Sequence, residues 1–178
     1  MKRLFLTFVG IALTVMTYGQ TISGSFVGLA QEGKAKFEID FSEASIHGMS
    51  EEDFAVYEED WDKDQPRVVA DFLGEVADRL SGMLRLGSHL KTDYRLRVVV
   101  NSISSRGDFV CDLYVMNGEQ VEASIRYITA KGGIFGTKLN LIKDGAEHTG
   151  KVTGNLLKRE LKRANRIIKK NEPKYESA

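Results

Sequence analysis

The sequence predicts an α+β fold, a two-layer sandwich in which two main helices pack on one face of a mostly antiparallel sheet. Two observations support this fold class. Strand-like runs rich in β-branched and aromatic residues fill 94–129, and two segments, 66–84 and 146–168, place apolar residues three and four positions apart. The chain has 178 residues and one cysteine, so we expect a single domain over 20–170 that needs no disulfide framework.

Residues 1–19 have the features of a cleaved signal peptide. Lys2 and Arg3 precede an apolar run that is too short to span a bilayer, and Gly19 supplies a small residue for cleavage. No cysteine follows the run, so we expect no lipid anchor of the bacterial lipoprotein kind. Because the run is short and is expected to be cleaved off, we also expect no transmembrane span in the mature chain. The expected destination is the periplasm or the cell exterior. The polar residues of 171–178 predict a disordered tail.

The N-terminal part of the domain predicts a hairpin followed by two helices. Two strand-like runs, 22–29 and 35–41, flank a short turn and predict a β-hairpin. Ser50, followed by three acidic residues, predicts the N-cap of a short helix. Pro66 predicts the start of a longer helix, which Gly87 is expected to end. Its apolar positions are Val69, Phe72, Leu73, Val76, Leu80, Met83 and Leu84.

The middle of the chain predicts a three-stranded antiparallel meander. Its strands cover 94–103, 109–116 and 121–129, and Asn117-Gly118 is typical of a tight hairpin turn. Alternation on the middle strand predicts one dry face toward the core and one wet face. The residues of the predicted core face are Phe109, Cys111, Leu113 and Val115.

The last part of the domain predicts a long helix. Its apolar stripe consists of Ala146, Thr149, Thr153, Leu157, Leu161, Ala164 and Ile168. Gly150 and Gly154 lie on or beside this stripe, although a glycine inside a helix costs about 1 kcal/mol. We therefore expect them to let the helix backbone approach the sheet closely.

Charge is balanced overall but divided along the chain. The 25 basic and 25 acidic residues exclude a strongly basic nucleic-acid binder. Eleven acidic residues lie within 38–64, whereas eight basic residues lie within 151–170. The two segments could meet in the fold or in a neighbouring molecule, or they could be solvated faces of amphipathic segments. Long strand edges also make a homo-oligomer one of the expected arrangements.

The basic segment predicts a contact with anionic lipid or lipopolysaccharide phosphates. Its candidate residues are Lys158, Arg159, Lys162, Arg163 and Arg166. Because the apolar stripe of the same helix is expected to pack on the sheet, the attachment would be electrostatic and salt-sensitive.

An acidic segment has the ligand spacing of a calcium loop, with acids at positions one, three, five and twelve. These candidate metal ligands are Asp60, Asp62, Asp64 and Asp71. Gln65 replaces the glycine of such loops and Lys63 adds a positive charge, so only a weak, millimolar calcium site is predicted. The alternative is a solvated acidic start of the helix near Pro66, where negative charge is stabilising.

The sequence contains few arrangements typical of catalysis. Residues 145–152 have the spacing of a phosphate-binding loop through Lys151, but Val152 stands where a hydroxyl must hold magnesium, so no cofactor is expected. The three histidines lack zinc-hydrolase spacing, and Cys111 lies in mid-strand. A hydrolase with paired carboxylates remains the enzymatic alternative. We expect a non-enzymatic binding or accessory protein.

Several of these features together resemble a known family. The leader ending before Gln20, the two N-terminal runs, the Ser50 segment, the meander and the helix with Gly150 and Gly154 resemble small exported proteins of Bacteroidetes that have no assigned function. The order of elements is more distantly similar to α+β accessory domains of cell-envelope assembly lipoproteins. The resemblance implies an envelope or secreted protein whose partner is an envelope protein or a surface component, and it carries over no site residues.

Overall fold

The computed structural model describes residues 19–171. The elements are β1 (Thr21–Gly24), α1 (Val27–Glu32), β2 (Lys34–Asp40), β3 (Ser45–Ile46), α2 (Glu51–Tyr57), α3 (Trp61–Leu80), β4 (Arg85–Leu86), β5 (Tyr94–Ile103), β6 (Phe109–Asn117), β7 (Gln120–Ala130) and α4 (Lys138–Asn171). The predicted α+β class is confirmed. The predicted signal peptide up to residue 18, and the predicted tail from 172 onward, lie outside the described residues.

The strands form one mixed sheet in the order β1-β7-β6-β5-β2-β4, with β3 beside the end of β5. Antiparallel pairing of β5, β6 and β7 confirms the predicted meander. β2 pairs parallel with both β4 and β5, and β3 also pairs parallel with β5. Half of the strand pairings are therefore parallel, and the prediction of a mostly antiparallel sheet is corrected to a mixed one.

The predicted N-terminal hairpin is wrong, because residues 27–32 form α1 and the strands on either side pair elsewhere. Within α1, Leu29 is fully buried in the core. Gly28 lies so close to the sheet that a Cβ atom there would come within 2.0 Å of the Tyr94 hydroxyl. Gly33, with a φ of 66°, ends the helix. Alternation predicts a strand here, but a helix buries Leu29 and leaves room beside Gly28 for the Tyr94 hydroxyl.

α3 begins at Trp61, upstream of the predicted start at Pro66, and it ends before Gly87. The buried Trp61 ring packs edge-on against Phe41 and Phe54, with ring centroids 6.0 and 5.1 Å away. Burial of this large ring offsets the hydrogen bond that the Pro66 nitrogen cannot donate inside the helix. The aromatic contact therefore stabilises an additional turn of α3 on the N-terminal side of Pro66.

Two local predictions are confirmed. The Ser50 hydroxyl oxygen accepts a hydrogen bond from the Asp53 backbone N–H at 3.1 Å, so Ser50 caps α2 as predicted. On β6, the predicted core residues are each at most 1% exposed; they are Phe109, Cys111, Leu113 and Val115. Burial raises the pKa of the Cys111 thiol, which therefore stays protonated.

The core lies between one face of the sheet and the helices. The Phe37 ring of β2 packs on the Phe72 ring of α3 at 6.1 Å, and the predicted stripe of α4 is buried from Ala146 to Ala164. This arrangement is consistent with the predicted layers.

Within residues 19–171, no helix has both the length and the apolar character needed to cross a membrane.

α3 and α4 run in the same direction and touch through the glycines of α4. Two ion pairs join the helices, Asp71–Lys143 at 3.6 Å and Glu75–Lys151 at 3.4 Å. A Cβ atom at Gly150 would lie 2.5 Å from the Phe72 carbonyl oxygen, and one at Gly154 would lie 2.7 Å from Arg79. The two glycines therefore bring α4 against α3, whereas the sequence predicted an approach to the sheet.

We expect Gly150→Ala to lower the free energy of unfolding by about 1–3 kcal/mol, because the added methyl group overlaps the Phe72 carbonyl group. Gly74→Ala in α3 is the matched control. No atom lies within 4 Å of its Cβ position, so helix propensity alone is expected to stabilise this variant by about 1 kcal/mol. Urea denaturation measures both changes, and equal effects from the two substitutions would contradict the tight helix contact.

Candidate functional site

The face of the sheet opposite the core carries rows of polar side chains, and we call it the outer face. Its residues alternate along each strand with buried ones, as Arg97 does with Leu96 and Val98. One row of directly paired residues crosses five strands and consists of Ser23, Ser124, Tyr114, Arg97 and Glu38. The Ser23 and Ser124 hydroxyl groups share a hydrogen bond of 2.9 Å. The outer face is thus an ordered polar surface.

The strongest interaction on the outer face joins β2 and β5. Arg97 Nη2 donates to Asp40 Oδ2 at 2.5 Å, and Arg97 Nε lies 3.7 Å from Glu38 Oε1. The Arg97 guanidinium, helped by hydrogen bonds from Ser42, lowers the pKa of Asp40 from 3.8 to about 2. The same pairing raises the pKa of Arg97. Both groups are therefore charged at neutral pH.

A shallow groove of about 320 Å³ opens beside this ion pair. Its lining residues are Asp40, Ser42, Glu43, Arg97, Val99, Tyr114, Met116 and Val121. Val121 is 56% exposed although it is apolar. Tyr114, Met116 and Arg97 are of residue types enriched at protein interfaces, whereas Asp40, Ser42 and Glu43 are of types depleted there, so the groove combines an apolar part with a charged rim. The alternation of β6 predicts a wet face, but the groove on that face was not predicted.

Asp112 stabilises an irregularity in the middle of the outer face. The residue is 4% exposed, and its carboxylate accepts the Tyr127 backbone N–H at 2.8 Å and Arg126 Nε at 3.4 Å. Tyr127 has a φ of 59°, at a bulge where the pairing of β6 with β7 shifts register. The buried carboxylate thus holds a strained backbone position, and its hydrogen bonds are used for structure.

The four predicted calcium ligands do not come together. Asp60 precedes the first turn of α3, Asp62 and Asp64 lie within that turn, and Asp71 lies further along the helix. Three of them pair with basic residues, as Asp60–Lys63 at 2.7 Å, Asp64–Arg67 at 3.1 Å and Asp71–Lys143 at 3.6 Å. In the described part of the chain, no three His, Cys, Asp or Glu side chains are placed to hold a metal ion. The segment is an acidic helix start, which is the alternative interpretation.

Residues 145–152, which have phosphate-loop spacing, lie inside α4 and form no loop. The His148 ring is held by a hydrogen bond between Nδ1 and the Lys131 carbonyl oxygen at 2.8 Å. Lys151 pairs with Glu75 of α3. Gly150 and Lys151 of this segment therefore contact α3, and Gly145 packs against Gly107 in the loop between β5 and β6.

The five predicted anion-contact residues line one shallow groove on α4, beyond the contact of Gly154 with α3. Glu160 is 6% exposed and accepts hydrogen bonds from Arg159 Nε and Arg163 Nη1, both at 2.9 Å. Two of the five cations are thus partly neutralised. The acidic start of α3 lies near the other end of α4, because the two helices run in the same direction. The acidic and basic segments make no ion pair with each other among residues 19–171.

We expect Asp40→Asn to lower the free energy of unfolding by about 1 kcal/mol at pH 7. The Asp40 pKa lies near 2 in the folded chain and at 3.8 ordinarily, so its stabilisation is present above about pH 4 and is lost toward pH 2. Exposure of 43% of the Arg97 side chain screens the pair and keeps the effect modest. Urea denaturation of both proteins across this range measures the difference, and a difference independent of pH would contradict the assignment.

We expect millimolar calcium to leave the melting temperature unchanged, because the candidate aspartates lie on a helix and three of them pair with basic side chains. Scanning calorimetry with calcium and with a chelator measures the shift. A rise in melting temperature that Asp62→Asn with Asp64→Asn abolishes would instead establish the weak calcium site.

No family model matches the chain, and no curated protein or solved structure matches it significantly. The resemblance to exported proteins of Bacteroidetes therefore stays a prediction.

Proposed function

We propose that this protein is an exported, non-enzymatic accessory protein of the cell envelope, and that it binds a protein partner through the outer face. The observation that supports this most directly is the groove beside the Asp40–Arg97 ion pair. All of its lining residues belong to strands or to the segment after β2, so it opens on the face that does not carry the core.

The charged part of the groove is suited to bind a neutral hydrogen-bond acceptor such as a backbone carbonyl oxygen, because the carboxylates of Glu38, Asp40 and Glu43 near Arg97 would repel an anion. A guanidinium has five N–H donors, and Arg97 directs one nitrogen at Asp40 and its Nε toward Glu38. The side chain is 43% exposed, so its other N–H groups are free to meet solvent or a ligand. The hydrogen bond to Asp40 holds the guanidinium in one position, which reduces the entropy lost on binding.

The apolar part of the groove is suited to an apolar side chain. Val99, Met116 and Val121 lie beside the Tyr114 ring. The methionine side chain adapts to different shapes, and tyrosine gives a large contact area with little entropy loss. We therefore infer a partner segment that presents a backbone carbonyl oxygen next to an apolar side chain.

Export and a non-catalytic role have separate support. The signal-peptide pattern of residues 1–19 supports export to the periplasm or the cell exterior. The Cys111 thiol is buried, and Asp112 is engaged in holding the bulge of β7. Glu122 accepts a hydrogen bond from the Tyr94 hydroxyl at 3.0 Å, where burial and this carboxylate raise the pKa of Tyr94 to about 12. These potentially reactive groups have structural tasks, which supports an accessory protein.

The test is capture of envelope proteins on the immobilised chain from Gln20 onward, followed by affinity measurement with the captured partner. We expect Arg97→Gln with Val121→Ser to weaken binding at least about 10-fold, because a charged hydrogen bond and an apolar contact are lost. Lys162→Gln with Ile167→Ser on α4 is the matched control and is expected to bind like the wild type.

Equal binding by the two double variants would contradict the outer face as the binding surface. Turnover of an ester, glycoside or peptide by the purified protein would contradict the non-enzymatic role and favour the carboxylate-pair hydrolase.

A further inference from the structure

The loop between β7 and α4 presents two large apolar side chains to solvent. Ile134 is 86% exposed and Phe135 is 88% exposed, more than any other large hydrophobic residue in the described part of the chain. We call these two residues the loop tip. Their exposure is unusual beside a core in which large side chains such as Phe109 and Ile142 are at most 1% exposed.

The base of this loop is fixed to the body of the protein. The Gly132 backbone N–H donates to Asp108 Oδ1 at 2.9 Å, and the Lys131 carbonyl oxygen lies 2.8 Å from His148 Nδ1. Gly132 packs so closely that a Cβ atom there would lie 1.9 Å from the Arg106 carbonyl oxygen. The loop tip therefore projects from an anchored base.

The size of the loop tip favours a lipid bilayer over a protein surface. Two side chains supply at most a few hundred Å² of apolar area, whereas stable protein interfaces bury about 1,200–2,000 Å² in total. A bilayer needs no complementary shape. Two inserted side chains provide less apolar area than one acyl chain does, so the attachment is weak and reversible.

The charges at the base of the loop complement lipid phosphates. Arg106 and Lys131 are exposed, and neither makes an ion pair among residues 19–171. The nearby Asp108 carboxylate is engaged by the Ser104 hydroxyl and by the Gly132 N–H. Arg106, Lys131 and the loop tip line one cleft. Asp144 also lines this cleft, and its carboxylate offsets part of the positive charge. Headgroup attraction is therefore secondary to apolar insertion.

A second pair of exposed apolar residues lies at the same end of the molecule. Val56 and Tyr57, at the end of α2, are 79% and 57% exposed. Lys138, the first residue of α4 after the loop, donates to the Tyr57 hydroxyl oxygen at 2.7 Å and to Glu58 Oε1 at 2.9 Å. A tyrosine ring with a polar end is favoured at the boundary between lipid and water.

We propose that the loop tip inserts into the interfacial layer of a lipid bilayer, with Arg106 and Lys131 next to headgroup phosphates. This membrane contact goes beyond the proposed partner binding, which uses the outer face. It also differs from the contact predicted for the basic residues of α4, because that cluster lies toward the other end of the same helix.

The first experiment uses the chain from Gln20 onward and vesicles of phosphatidylcholine, alone or with phosphatidylglycerol. Phe135→Trp places a fluorescent probe in the loop tip, while the native Trp61 is only 3% exposed and gives a constant background. We expect the emission of the new tryptophan to shift to shorter wavelength when vesicles are added. No shift with either vesicle would overturn the proposal.

The second experiment compares vesicle flotation of matched variants. Ile134→Ser with Phe135→Ser is expected to reduce vesicle binding at least about 10-fold, because the inserted apolar area is lost. Tyr127→Ser with Ile167→Ser removes two large side chains that are 38% and 51% exposed elsewhere, and is expected to bind vesicles normally. Circular dichroism melting confirms that each variant folds. Loss of binding in the control pair alone would overturn the proposal and favour the α4 cluster.

The charge contribution is tested with Arg106→Gln and Lys131→Gln together. We expect this variant to bind vesicles containing phosphatidylglycerol about 3-fold more weakly and to bind phosphatidylcholine vesicles as the wild type does. If the loop-tip variant binds vesicles normally but no longer captures a protein partner, the occupant is a protein and the proposal is wrong.

Discussion

The close contact between α3 and α4 determines which surfaces of this protein are free. Gly150 and Gly154 let the two backbones approach, so both helices share the same core. The outer face is left to rows of charged and polar side chains. Because the helices run in the same direction, the start of α4 also lies beside α2, and the loop before α4 projects at that end. The groove lies on the face that the helices leave free, and the loop tip lies at the end where α4 starts.

The parts of the fold that follow from neighbouring residues could be predicted from the sequence. The cap at Ser50 and the alternation of β6 are signals within a few positions. The pairing of β2 with β5 is different, because alternation identifies a strand but not its neighbour. The error at α1 has a similar cause: the short apolar run around Gly28 fits either a helix or a strand, and the Tyr94 hydroxyl that Gly28 accommodates lies far away in the sequence.

The candidate site could be predicted only in part. Glu38 and Asp40 on one strand, and Arg95 and Arg97 on another, have the same spacing of two and opposite charge, which is a signal that the sequence contains. Using it requires knowing that these strands are neighbours, and the ion pair joins residues 57 positions apart. The loop tip also had a signal, because an Ile-Phe pair enclosed by glycines has too few apolar neighbours in sequence to form a strand or a helix face.

The position of Cys111 matters for how this chain reaches its folded state. Its sulfur has no exposed surface once β6 is paired on both sides, and burial holds the thiol in its protonated, unreactive form. If the chain is exported as proposed, it meets oxidants while this sulfur is still accessible. Rapid closure of the sheet then competes with mixed-disulfide formation. In the folded molecule the Cys111 sulfur is not accessible for a disulfide between two copies, so the thiol can be oxidised only before β6 is paired.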